Sequence, residues 1–158
     1  MEEKTPIENA RTGYQVAVTL WTYEGNLIWS KFTAMVYANT IVLATIGLLI
    51  TSKPEFQFLR IALAVLGLQL CLAWFWIIKR SFDYHNYWVF SAHELEALYI
   101  QPVETVARGV KLARGERVTF KTPDGFTYQR GRVGPKIEYV SYSVIAVFVV
   151  VYIITLFQ

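Results

Sequence analysis

The chain has 158 residues, of which 54% are hydrophobic, 16% aromatic and only 17% charged, with a formal net charge of +3. An ordinary soluble protein carries about 25% charged residues. The apolar residues also fall in blocks and the mean hydropathy is +0.35, so a soluble globule is excluded. The composition predicts an all-α integral membrane protein: three transmembrane helices, a long N-terminal helix, and a mostly helical cytoplasmic loop carrying a small β-hairpin.

The opening "MEEKTPIENA" reads as a loose polar lead-in within a cytoplasmic segment 1–31. Helical periodicity begins near Thr12 and meets no breaker until Lys53-Pro54, where proline ends a helix near the preceding residue. One helix of roughly 40 residues at 1.5 Å each is therefore expected, about twice the hydrocarbon thickness. Its second half, 32–52, is the first span, and "FTAMVYANTIVLATIGLLI" contains no charge. That block lies too far from Met1 and is too long for a cleaved secretory signal.

Along this helix runs a row of uncharged polar residues: Thr12, Gln15, Thr19, Thr22, Asn26, Ser30, Thr33, then Tyr37 and Thr40. Steps of three and four average near 3.5, the spacing of a seam that keeps to one face. A solvated face normally carries charge, and this one has none. Thr, Ser, Asn and Gln suit helix contacts in lipid, because they pack closely and bond across. They suit equally the wall of a wet conduit built from several copies. The plain alternative is a row of threonines bonding their own i−4 carbonyls. Ala34 and Ala38 add a small-xxx-small pair.

A short external turn, 53–60, leads to the second span, 61–78, "IALAVLGLQLCLAWFWII". Asn39 and Gln69 are amides inside the spans, where polar groups seek partners. Helical rise puts them at similar depth, and an Asn39–Gln69 bond within the hairpin is expected. A functional variant would put one of them between subunits. Cys71 reads as a small apolar filler, since a single cysteine forms no intrachain disulfide.

The loop 79–138 holds ten basic residues, against Lys53 and Arg60 alone in the 53–60 turn. The positive-inside rule therefore puts the N-terminus and this loop in the cytoplasm and the C-terminus outside. Trp29, Trp74, Trp76, Tyr139 and Tyr142 fall at the same boundary, and Phe82, Trp88 and Phe90 are expected near the headgroups. Lys79, Arg80, Arg130, Arg132 and Lys136 would contact anionic lipid, each worth about 1 kcal/mol near the surface. Seven acidic residues offset the ten basic ones, too weak a footprint for specific nucleic-acid binding.

Ser91-Ala-His-Glu94 fits a capping box and so a helix start; Pro102 would kink or divide the segment. Glu94, Glu96 and Glu104 read as a solvent face. Residues 122–125, "TPDG", form a turn flanked by alternating Val118, Phe120, Phe126 and Tyr128, hence a hairpin. The third span is 139–158.

Catalytic motifs are scarce. Arg80-Ser-Phe-Asp-Tyr-His85 resembles the R-x4-6-H signature of HEPN ribonucleases, which would make His85 an acid or base and Arg80 a phosphate holder. Arg80 is equally explained as the basic anchor ending a span. His93-Glu94 begins like a zincin helix, yet Ala97 stands where the second histidine belongs. No nucleotide loop or paired-cysteine motif occurs, so neither an enzyme nor a cofactor is expected.

The features "LWTYEGNLIWSKF", the two-span hairpin and "KRSFDYHNYWVFSAHELE" give a layout that resembles small bacterial SLATT-type membrane proteins. Through Arg80 and His85 it also resembles a CRISPR-associated membrane pore with a HEPN-like domain. A third, C-terminal span departs from the SLATT pattern. These resemblances imply a self-associating inner-membrane effector that perturbs or permeabilises the membrane, in bacterial defence. A non-conducting anchor that recruits a cytoplasmic protein through 82–136 is the alternative, and a tethered ribonuclease a third.

Overall fold

A computed structural model describes residues 6–50, 56–100, 104–121, 127–130 and 135–157, with 120, 121 and 127–130 as backbone only. Helix α1 covers Pro6–Ile50 and α2 covers Gln57–Tyr99. Helix α3 (Thr105–Ala113), strands β1 (Val118–Lys121) and β2 (Thr127–Arg130), and helix α4 (Ile137–Leu156) follow. Three of these helices are long and apolar enough to cross a membrane.

The bounds correct two expectations. Helix α1 begins at Pro6, inside the supposed loose lead-in, because proline fits the first helical position, where its missing N–H costs nothing. Helix α2 runs without a break past Ser91, so the capping-box pattern lies mid-helix and starts nothing. The helix ends at Tyr99; Pro102 lies outside the described residues.

The chain divides into two compact units, Asn26–Asp83 with Lys136–Gln158, and Met1–Gly25 with Tyr84–Pro135. The first, the membrane unit, packs Ile28 and Ile46 of α1, Ala64, Cys71, Trp74 and Ile78 of α2, and Ile145 and Tyr152 of α4. Acyl chains are as apolar as leucine, so shape and hydrogen bonds hold such a bundle rather than water exclusion. The Trp74 ring sits between Phe32 and Phe148, with centroids 5.2 and 5.8 Å away.

In the second unit, Ala17 lies against Ala92, and Val106 and Val110 of α3 complete the cluster. Two alanines let α1 and α2 approach closely, and the i, i+4 valines give α3 its apolar stripe. Trp88 packs half-buried on this cluster, and in the membrane unit Phe82 is buried in the core rather than facing the headgroups.

Glu96 corrects another expectation. It is 1% exposed, not on a solvent face. Its carboxylate accepts the Val106 and Ala107 backbone N–H groups at 3.1 and 2.8 Å, capping α3 from a neighbouring helix. The Tyr14 hydroxyl bonds the same carboxylate; burial, then the Glu96 charge, push the Tyr14 phenol above its usual range. Helix α3 closes at Gly115, φ +89°, a left-handed residue that glycine adopts without strain. Gly115 N–H donates to the Leu112 carbonyl and Glu116 N–H to the Lys111 carbonyl, both at 3.0 Å, a Schellman ending. Strands β1 and β2 then pair antiparallel with Phe120 opposite Tyr128, the expected hairpin; the expected turn 122–125 lies outside the described residues.

Candidate functional site: the uncovered face of the first helix

Within the membrane unit, α1 turns Ile28, Asn39 and Ile46 inward, and all three are buried. Asn26, Ser30, Thr33, Tyr37 and Thr40 lie on the other side and are all exposed. In the second unit, Ala10 and Ala17 are buried while Thr12, Gln15, Thr19 and Thr22 are exposed. The row of neutral polar groups is thus uncovered wherever it occurs.

Several of its hydroxyls are locally satisfied. Thr19 donates to the Gln15 carbonyl at 2.8 Å, Thr22 to Val18 at 3.0 Å and Thr40 to Val36 at 2.8 Å. This backbonding lets threonine sit in an apolar surrounding at low cost. It leaves each oxygen able to accept a further bond. Asn26 and Ser30 have no hydrogen-bond partner among the described residues.

Behind that face lies a polar node that sequence reasoning missed. Asn39, fully buried, donates its amide to the Met35 carbonyl at 2.8 Å. Its side-chain oxygen accepts the Tyr152 hydroxyl at 3.1 Å and the Cys71 thiol at 3.5 Å. The expected Asn39–Gln69 bond is therefore absent: Tyr152 of α4 takes the amide, and Gln69 is exposed on α2. Gly67 makes the geometry possible, because a Cβ there would overlap the Tyr152 ring. A glycine in one span and a lone mid-span tyrosine in another were the available signals.

One end of the membrane unit collects the residues expected at the interface. Lys31 donates to Ser81 at 3.0 Å, and Phe75 meets Tyr142 with centroids 5.3 Å apart, so the start of α4 shares this end with α1 and α2. Trp29, Trp76 and Tyr139 are exposed there, and the Lys79 ammonium lies 5.3 Å over the Trp76 ring. Arg80 and Lys136 are exposed too. Of Arg130 only the backbone pairing with Val118 is described, and Arg132 lies outside the described residues.

His85, the other half of the R-x4-H pair, accepts the Trp21 indole N–H on Nε2 at 2.9 Å, its ring edge-on to the indole. A nitrogen so occupied serves packing between α1 and α2. Among the described residues no cluster of metal-ligating side chains occurs.

Only 11%, 28% and 22% of the most apolar 18-residue stretches of α1, α2 and α4 is buried within one protomer, so most of their surface is left to lipid or to other proteins. A family model described as "Octameric membrane protein family (8xMP)" matches residues 12–157. The chain belongs to this family. The 8xMP match takes in all three apolar helices and the segment between the second and third. No curated protein and no solved structure matches the chain. The likeness to SLATT-type proteins and to a CRISPR-associated pore gains no support from these comparisons; what stands is an all-α membrane protein.

Proposed function

We propose that this 8xMP chain is the protomer of a homo-oligomeric membrane assembly whose copies turn the neutral face of α1 towards one another and towards water they enclose. The assembly permeabilises the membrane and is an effector rather than an enzyme. The carrying observation is that Asn26, Ser30, Thr33, Tyr37 and Thr40 are all uncovered in the protomer while the opposite side of the same helix is packed. Acyl chains offer such groups nothing to bond, and the family description as octameric supplies the neighbours that would cover them.

The charge asymmetry of the loops and the collar of Trp29, Trp76, Lys79 and Tyr139 support a multi-pass inner-membrane orientation with the N-terminus in the cytoplasm. In this reading Lys79, Arg80 and Lys136 hold anionic headgroups, with Arg130 and Arg132 following by sequence. Ser30→Leu with Thr33→Leu should abolish dye leakage from vesicles at unchanged expression and unchanged oligomer mass. Undiminished leakage would refute the lining role.

The second unit favours a second reading. Tyr87, Phe90 and Leu98 are 58%, 54% and 64% exposed outside the predicted spans, a greasy surface for a solvated helix. A cytoplasmic protein recruited through 82–136 would cover it. Deleting residues 122–125 should then release a co-purifying protein while the oligomer persists.

A further inference from the structure

Gln69 lies in the middle of an uncharged span, exposed, with no hydrogen-bond partner among the described residues. It sits about 140–200° around α2 from Ala64, Gly67, Cys71, Trp74 and Ile78, which form the core. Its companions on the outward side, Val65, Leu72 and Trp76, are apolar and exposed. An amide facing acyl chains forfeits its hydrogen bonds, so amides within spans turn to protein or to water.

The depth of Gln69 identifies what it meets. The 3.5 Å contact between Asn39 and Cys71 levels α1 with α2. The two helices run in opposite directions, so one residue forward from Asn39 and two back from Cys71 are steps the same way. Thr40 and Gln69 therefore lie about 1.5 and 3 Å from that level, at nearly one depth. Both are exposed, on outward sides of different helices. The Thr40 hydroxyl hydrogen is committed to Val36, which leaves its oxygen as an acceptor, and Gln69 carries two amide donors.

We propose that Gln69 of one copy donates its amide N–H to Thr40 of the next, so that copies meet with α2 against α1. In a ring whose axis is normal to the membrane every copy keeps the same depth. Two complementary groups at one depth on different faces are placed to meet from copy to copy, and such a heterologous contact makes a ring where its rotation closes, as the octameric family description implies. The partner is a second copy of this chain. The inference rests on the homo-oligomeric reading above, but not on whether the assembly conducts.

Paired cysteines test it in native membranes. In a Cys71→Ala background, Thr40→Cys with Gln69→Cys should, on oxidation, give a reducible ladder reaching eight chains. Each single variant should stay a monomer, because in a heterologous contact the same position on two copies does not meet. Thr40→Cys with Val150→Cys, an exposed α4 position, should also give no ladder. The proposal is overturned if that control forms the ladder and the Gln69 pair does not, or if Thr40→Cys alone cross-links. Gln69→Leu, which touches no core residue, should shift the native mass from eight chains to one or two; an undiminished octamer overturns the bond. None of these readouts involves leakage, so failure of the contact and failure of the pore reading remain separate results.

Discussion

Tyr152 and Gly67 show how few atoms fix the arrangement of the membrane unit. The Tyr152 ring occupies a notch that exists only because residue 67 has no Cβ, and its hydroxyl reaches Asn39 at 3.1 Å. Two variants separate shape from hydrogen bonding. Tyr152→Phe keeps the ring and loses the bond, at a cost of about 0.6 and at most about 1.7 kcal/mol in a membrane. Gly67→Ala forces overlap with a buried ring, and overpacking of this kind costs about 1–3 kcal/mol or more. Unfolding in mixed micelles should therefore rank Gly67→Ala as the more harmful, and alkylation of buried Cys71 should quicken in the same order. Equal effects, or a harmless Gly67→Ala, would contradict the account. The glycine and the tyrosine each stand out within a span, but their pairing was not legible, because residues 85 apart leave no local pattern. Asn39 and Gln69 were legible as polar groups in spans, but their partners depend on which way each helix is rotated, and that only packing decides.

At the scale of elements, α3 depends on Glu96. The helix is 9 residues long, below the length at which isolated helices hold in water. It persists because Val106 and Val110 are buried and because a neighbouring carboxylate accepts two of its free N–H groups. Glu96→Ala should cost about 1.5–3 kcal/mol, the worth of hydrogen bonds to a charged group. It should be seen as faster amide exchange at Val106 and Ala107 with the spans unaffected. Alkaline pH should act on the same joint. The Tyr14 phenol is held above its usual range, so its contribution is complete below about pH 10 and declines as pH rises beyond that. Tyr14→Phe should remove that alkaline loss; a loss that persists unchanged would place it elsewhere. The spans and the hairpin were legible because each follows from local pattern: uninterrupted apolar runs, and alternation about a turn. Glu96 was misread because surface carboxylates are the rule, and the distant helix terminus that reverses the rule is invisible in a window of one helix.

At the scale of the molecule, a row of neutral polar groups and an outward glutamine make poor sense in a solitary membrane protein. In the proposed assembly each belongs to a surface that another copy covers, and membership of a family described as octameric agrees with that proposal. The seam was legible as a 3.5-residue spacing, while its exposure could be read only once the packed side of α1 was known. Native mass spectrometry of the full-length chain, released from nanodiscs, tests the claim most directly. The account predicts a particle of eight 18.2 kDa chains. A particle of one chain would contradict it, because Thr33 and Thr40 would then face nothing but acyl chains.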